Sequence, residues 1–160
     1  EILGAVSGFF GAFGSATTVL IAASTTAVAG ALSMGAGAFL ALNSEKEVKT
    51  TEIAKKIFLG EETEVSPMEE SPLGSALIVG TAYMIGAMVP VLPVLIGAND
   101  ALFSVITAGL MVIVVSTILS FLSGMDVKRR IILNLAIITV AVSVTYGIGM
   151  LAKEVWGINT

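Results

Sequence analysis

The feature that most constrains this chain is a long run without a single charged residue, residues 2–44, at its very start. A helix needs about 20 apolar residues to cross the hydrocarbon core of a bilayer, so this run is long enough for two crossings. Only 12% of the 160 residues are charged, against about a quarter in soluble domains. The sequence therefore predicts an integral, multi-pass membrane protein that is surrounded by lipid.

Three further apolar blocks bring the predicted number of transmembrane helices to five. The turn inside the first run has two candidate positions, residues 14–18 and residues 24–26, and both hold clustered glycine, serine or threonine. An early turn would leave a first helix too short to span, and with a chain that begins at Glu1 it would indicate further residues upstream. We expect an all-α fold in one transmembrane domain, 1–160, with spans at about residues 2–22, 24–43, 73–97, 101–123 and 131–152 and a cytosolic segment at 44–72.

The basic residues predict the orientation, because loops on the cytoplasmic side carry an excess of Lys and Arg. In a five-span count, seven of the eight bases fall on one side and Lys153 alone falls on the other. The N-terminus is therefore predicted inside and the C-terminus outside. The seven are Lys46, Lys49, Lys55, Lys56, Lys128, Arg129 and Arg130.

The segment between the second and third spans is short and acidic. Its first part predicts a helix over 45–59, either capped by Ser44 with Glu47 or continuing the second span, and ending at Gly60. On this helix two i,i+4 ion pairs are predicted, Glu45–Lys49 and Glu52–Lys56. In its second part the carboxylates have no base nearby in sequence. Such a cluster is typical either of a solvated acidic loop or of a site that collects cations, and these candidate metal ligands are Glu61, Glu62, Glu64, Met68, Glu69 and Glu70.

Small residues recur every four positions in the spans, as in Gly4 and Gly8, in Ala23, Ala27, Ala31 and Gly35, and in Ala76 and Gly80. In lipid such stripes let helices approach closely, within one bundle or across a dimer. The third span ends in two prolines that free backbone carbonyls, which is typical of a packing kink or of a transport site. The candidate transport-pathway residues are Met34, Met84, Met88, Gly86, Pro90 and Pro93.

Two residue types are missing from the chain and exclude several kinds of chemistry. Without Cys or His, there are no disulfides, imidazole metal sites or thiol nucleophiles. The spans offer no nucleophile–base pair, so we do not expect an enzyme, and no permanently bound cofactor is predicted. The net charge of −4 argues against nucleic acid as a partner.

Three motifs, in this order, resemble the vacuolar iron transporter/CCC1 (VIT) family over nearly the whole chain. The stretch Ala29-Gly30-Ala31-Leu32-Ser33-Met34-Gly35 is similar to the signature of the family's second helix. Residues 75–93, with Tyr83-Met84-Ile85-Gly86 and Val89-Pro90-Val91-Leu92-Pro93, resemble its third helix, and Tyr146-Gly147-Ile148-Gly149 resembles its last.

The resemblance implies a homodimeric five-helix transporter that moves Fe²⁺, and often Mn²⁺, out of the cytosol in exchange for protons. It implies a metal-contacting role for Met34, and a cell-membrane location in a prokaryote or a vacuolar or other endomembrane location in a eukaryote. The chain is a short form that lacks most of the family's cytosolic metal-binding domain. By the resemblance, the family's first-helix acid would fall near Ser7-Gly8 and its second-helix glutamate at Thr26, and this chain has no acid at either place. A second hypothesis is therefore a non-transporting membrane assembly module whose acidic segment recruits a cytosolic partner.

Overall fold

The computed structural model describes residues 1–60 and 71–157, and these residues form an all-α fold without strands. The all-α prediction is thereby confirmed. The candidate metal ligands between Glu61 and Glu70 lie outside the described residues. The five helices are α1 (Ile2–Phe13), α2 (Ala16–Phe58), α3 (Pro72–Leu95), α4 (Ala101–Ser123) and α5 (Val127–Trp156).

Four of these helices, α2 to α5, are long and apolar enough to cross a membrane, whereas α1 is apolar but has only 12 residues. At 1.5 Å per residue α1 is about 18 Å long, shorter than a hydrocarbon core of about 30 Å. The structure thus shows four helices of spanning length and one shorter apolar helix. The inside and outside assignment of the termini stays a prediction.

The predicted boundary between the first two helices, at residues 22–24, is wrong, and the earlier of the two candidate turns is the one formed. Gly14 ends α1 in the left-handed conformation, with φ 62°, and its N–H bonds the carbonyl of Phe10. The later candidate turn stays helical, and the hydroxyls of Thr25 and Thr26 are satisfied within the helix by donating to carbonyls of the preceding helical turn, at 2.8–3.0 Å.

Helix α2 is one continuous helix of 43 residues, about 64 Å long, which is far more than a bilayer core requires. There is no helix start at Ser44, so the predicted capping box is wrong. Instead, Glu47 accepts a hydrogen bond from the Asn43 side chain at 3.0 Å. Of the two predicted ion pairs, Glu45–Lys49 is present at 2.8 Å, whereas Glu52–Lys56 is not formed among the described residues. Gly60, with φ 75°, follows the helix end as expected.

The chain divides into two compact units, Glu1–Ala27 with Ile85–Thr160 and Val28–Met84. In the first unit α1 is the most enclosed helix, with seven of its residues buried, and it packs against α5 and α4. Gly4 lies against Thr145, whereas Gly11 lies against Tyr146 and the backbone of Met150. Residue numbers thus rise together along the two helices, so α1 and α5 run in parallel.

Glycine makes this α1–α5 contact close enough for backbone to touch backbone. A Cβ placed on Gly149 would overlap the carbonyl oxygen of Gly8 and lie 3.0 Å from the backbone nitrogen of Ala12. The Gly4–Gly8 pair was predicted to be a contact face either within a bundle or across a dimer. The structure shows it as a contact within the chain.

A hydrogen bond between α4 and α5 completes the first unit: the Asn134 amide nitrogen donates to the hydroxyl of Ser116 at 2.8 Å. Asn134 and Ser116 lie on either side of the turn at residues 124–126, so these two helices are antiparallel. Three other serine hydroxyls, those of Ser7, Ser104 and Ser120, are buried without a hydrogen-bond partner in the described part of the chain.

Candidate functional site

The candidate site lies in the second unit, where α2 and α3 pack through the small residues that the sequence singled out. A Cβ on Gly80 would lie 3.2 Å from the carbonyl oxygen of Ala31, and one on Gly35 would lie 3.0 Å from that of Ala76. From one contact to the next, the residue numbers rise along α2 and fall along α3, so the two helices are antiparallel. We call this contact line, formed by Ala31, Gly35, Ala76 and Gly80, the α2–α3 seam.

Tyr83 lies directly over Gly30 at one side of the seam. A Cβ on Gly30 would come within 2.5 and 2.6 Å of ring atoms Cζ and Cε1 and would overlap the hydroxyl oxygen. Gly30 is therefore the residue that admits the ring. Tyr83 was not among the predicted pathway residues. The signal for it was a glycine within the second-helix motif and a single tyrosine in the facing helix.

Met34 follows Gly30 by four residues and so lies on the same side of the seam as Tyr83. Its side chain is half exposed, at 50%, and the adjacent Gly35 leaves it free of bulky neighbours along the chain. Met84 is rotated by about 100° from Tyr83 around α3. Met84 also follows Gly80 by four residues and so continues the stripe of Ala76 and Gly80. The grouping of Met34 with Met84 and Met88 stays a prediction.

The remaining pathway candidates, Gly86, Met88, Pro90 and Pro93, lie in the first unit near the end of α3. Both prolines are inside the helix, so the carbonyls four residues before them lack their usual N–H partner. For Pro93 that carbonyl belongs to Val89, and the hydroxyl of Thr107 on α4 lies 3.5 Å from it. The same hydroxyl also lies 3.0 Å from the carbonyl of its own helix at Phe103.

Residues of the α3 end and the α4 start also line an open cavity of about 730 Å³. Its polar groups are the Thr107 hydroxyl and the Val89 backbone, and the rest of the lining is apolar, including Leu92, Ile96 and Phe103. Pro90 is buried, whereas Met88 is half exposed. Because the single Thr107 proton has a closer acceptor in the Phe103 carbonyl, the 3.5 Å contact with Val89 does not decide between a packing kink and a transport role for Pro93.

Acidic groups are sparse in the part of the chain that the structure describes, and no three or more of them come together in a way that could hold a metal ion. Glu45, Glu47 and Glu52 are exposed along the outer part of α2. Ser7, near which the resemblance predicted the family's first-helix acid to fall, is completely buried, and its hydroxyl has no partner among the described residues. The described membrane-spanning part therefore presents hydroxyls, thioethers and carbonyls as its polar ligands.

Comparison with known proteins identifies the family of this chain. The model of the VIT family matches residues 1–57 and 55–150, which together cover most of the chain. No curated protein and no solved structure gives a significant match. The apolar helices α2 to α5 and this match together show an integral, multi-pass membrane protein, and the resemblance seen in the three motifs is confirmed: the chain belongs to the VIT family, whose members are membrane transporters rather than enzymes.

Proposed function

We propose that this protein carries a divalent transition metal, Fe²⁺ or Mn²⁺, out of the cytosol along the Met34 side of the α2–α3 seam. The observation that carries the proposal is the match of the VIT family model to both parts of the chain, because the family is associated with membrane metal-ion transport. Without this match, a half-exposed methionine in an apolar helix would be an ordinary packing residue.

The geometry supports a role for Met34 in three ways. Its thioether is a soft ligand that favours transition metals over Mg²⁺ and Ca²⁺. Gly35 and Gly37 follow it closely in sequence, so the helix carries little side-chain bulk around the thioether. Tyr83 adds a hydroxyl-bearing ring on the same side, and Gly30 holds space for that ring.

The acids between Glu61 and Glu70 would collect the cation at the cytosolic face. Five carboxylates within ten residues repel one another unless a cation neutralises them, and carboxylate oxygen binds Mn²⁺ and hard iron well. Substituting all five by Gln is expected to raise the metal concentration needed for half-maximal flux and to leave the maximal flux nearly unchanged.

The test is metal flux into liposomes that hold the purified full-length chain, followed with an enclosed metal-quenched dye. Met34→Ala is expected to lower the Fe²⁺ or Mn²⁺ flux by about tenfold or more, the scale on which changes at a metal site act. Met111→Ala on α4, where the side chain is also partly exposed, is the matched control and should retain wild-type flux. Wild-type flux equal to that of empty liposomes, or equal flux from both variants, would contradict the proposal.

Proton exchange and a homodimer complete the proposal. Imposing a pH gradient across the same liposomes should accelerate metal flux if protons move in the opposite direction. Cross-linking of the protein in those liposomes should give a species of twice the monomer mass.

One observation favours the second hypothesis of a non-transporting assembly module. None of the predicted spans carries an Asp, Glu, Lys or Arg, although such residues usually mark ion and proton routes in membranes. A stoichiometric cytosolic partner in pull-downs, together with an absence of metal binding by calorimetry, would support that hypothesis over transport.

A further inference from the structure

The start of α5 carries three adjacent basic residues, Lys128, Arg129 and Arg130, which we call the basic cluster. None of the three forms an ion pair with any described residue. The nearest acid in sequence, Asp126, instead accepts hydrogen bonds from the backbone N–H groups of Lys128 and Arg129, at 2.9 and 3.3 Å. Its carboxylate therefore caps the helix, and the positive charge of the cluster stays available to a partner.

The membrane fixes the depth of the basic cluster. It follows a short turn, residues 124–126, between two helices that are both long and apolar enough to cross a bilayer. Charged side chains are costly in hydrocarbon, so this turn must lie where the hydrocarbon core gives way to lipid headgroups. Headgroup phosphates are the groups found at that depth.

Below the basic cluster, α5 presents an apolar surface with nothing packed on it in the described chain. Ile132 follows Lys128 by four residues and Leu133 follows Arg129 by four, so each pair shares a face. Ile132 is 66% exposed and Leu133 is 52% exposed. The exposed apolar surface continues along the helix through Ile137, Val140 and Val144.

Arg130 is held over the turn rather than directed along the helix. Its Nη1 atom lies 3.5 Å from the Met125 sulfur, within the same turn. A guanidinium group presents a planar fork of N–H donors that binds phosphate oxygens in pairs. Arg130 and its two neighbours thus combine a fork geometry with a local excess of positive charge.

We propose that the α4–α5 turn binds the headgroup of an anionic phospholipid, with the phosphate on the basic cluster and one acyl chain along the exposed α5 surface from Ile132 to Val144. The charge of the cluster selects an anionic lipid over a zwitterionic one. The apolar surface one helical turn away selects an intact lipid over a free phosphate. The proposed site is independent of the metal pathway and of the proposed function.

The experiment measures lipid retention by the full-length protein in detergent, using native mass spectrometry with phosphatidylglycerol and phosphatidylcholine of identical acyl chains. Each base near an anionic surface is worth about 1 kcal/mol, or roughly fivefold, so three predict a preference for phosphatidylglycerol on the order of 100-fold at low salt. Raising the salt concentration should shrink this preference, because exposed charges are screened. A wild-type protein without the preference, or with one that is independent of salt, would overturn the proposal.

Two variants and one control localise the site. The triple variant Lys128→Gln, Arg129→Gln, Arg130→Gln should lose the preference. Arg129→Gln alone, which preserves most of the charge that orients the protein in a membrane, should lower it by about fivefold. The matched control is the double variant Lys55→Gln with Lys56→Gln. These bases lie about 16 Å along α2 beyond Ser44, so this variant should retain the full preference for phosphatidylglycerol. Equal losses in the control and triple variants would show that the basic cluster is not the site, and inorganic phosphate competing as well as the intact lipid would show that no acyl chain is bound.

Discussion

Replacing Gly149 by alanine should separate α1 from α5, because the added Cβ has no space between the two backbones. It would overlap the Gly8 carbonyl oxygen and lie 3.0 Å from both the Gly8 carbonyl carbon and the Ala12 nitrogen. All three atoms are backbone, so no side chain can rotate away and the helices themselves must move. Overpacking of this kind costs about 1–3 kcal/mol, and we expect the upper end of that range for Gly149→Ala.

Gly147→Ala is the matched control for this prediction. It lies on the same helix two residues earlier, and a Cβ there would meet nothing within 4 Å. Both variants gain the same helix propensity of about 1 kcal/mol from Gly to Ala, so this gain cancels in the comparison. The free energy of unfolding should therefore be about 3 kcal/mol lower for Gly149→Ala than for Gly147→Ala.

Trp156 provides the assay, since it is the single tryptophan of the chain and lines the groove between α1 and α5. Its fluorescence can follow unfolding as SDS is titrated into detergent micelles that hold each variant. Circular dichroism would report whether the helices themselves persist. If the two variants unfold within about 0.5 kcal/mol of each other, the smallest coupling that such comparisons resolve, the reasoning about backbone contact at Gly149 is refuted.

Two further predictions concern the α2–α3 seam and the buried serines. Gly30→Ala should displace the Tyr83 ring and reduce metal flux, and its free energy of unfolding should be about 1–3 kcal/mol lower than that of Gly37→Ala. At Gly37 a Cβ meets nothing within 4 Å, so Gly37→Ala should retain wild-type flux and gain the helix propensity of about 1 kcal/mol. Equal flux from the two variants would separate Tyr83 from transport. Ser104→Ala should raise the free energy of unfolding in the SDS titration by about 1 kcal/mol, because it removes a buried hydroxyl that lacks a partner among the described residues. A loss of stability there would instead reveal a bound water or ion.

Local chemistry was enough to predict much of the fold. The apolar blocks predicted α3, α4 and α5 closely, because the hydrocarbon core imposes both a length and an almost complete absence of charge on a spanning helix. Gly60 and the Glu45–Lys49 pair were also predictable, since a helix end and an i,i+4 ion pair depend on neighbours in sequence. The boundary between α1 and α2 was left open, because both candidate stretches are rich in Ser and Thr and helical threonines can satisfy their own hydroxyls. Only the earlier stretch contains a glycine, Gly14, which takes the left-handed conformation that ends α1.

Some features of the candidate site could likewise be predicted from the sequence, and others could not. The second-helix motif identified Met34, and the four-residue spacing identified the stripes of the α2–α3 seam. The grouping of Met34 with Met84 stays a prediction. The contact of Tyr83 with Gly30 was found only in the structure, because the rotation of one helix against its neighbour depends on which residues meet. The Glu61–Glu70 ligands stay a sequence-based prediction.

By itself, then, the sequence determined that this protein is a helical membrane protein of the VIT family, with a charged segment after its second helix and without imidazole or thiol chemistry. Tertiary structure decided that α1 is a short helix packed in parallel against α5, that α2 continues unbroken to Phe58, and that the Val89 carbonyl freed by Pro93 lies beside Thr107. The physical reason is the distance along the chain over which each kind of interaction acts. Hydropathy, charge and capping act between a residue and its solvent or its near neighbours, whereas the close approach of Gly8 and Gly149 joins positions at opposite ends of the chain.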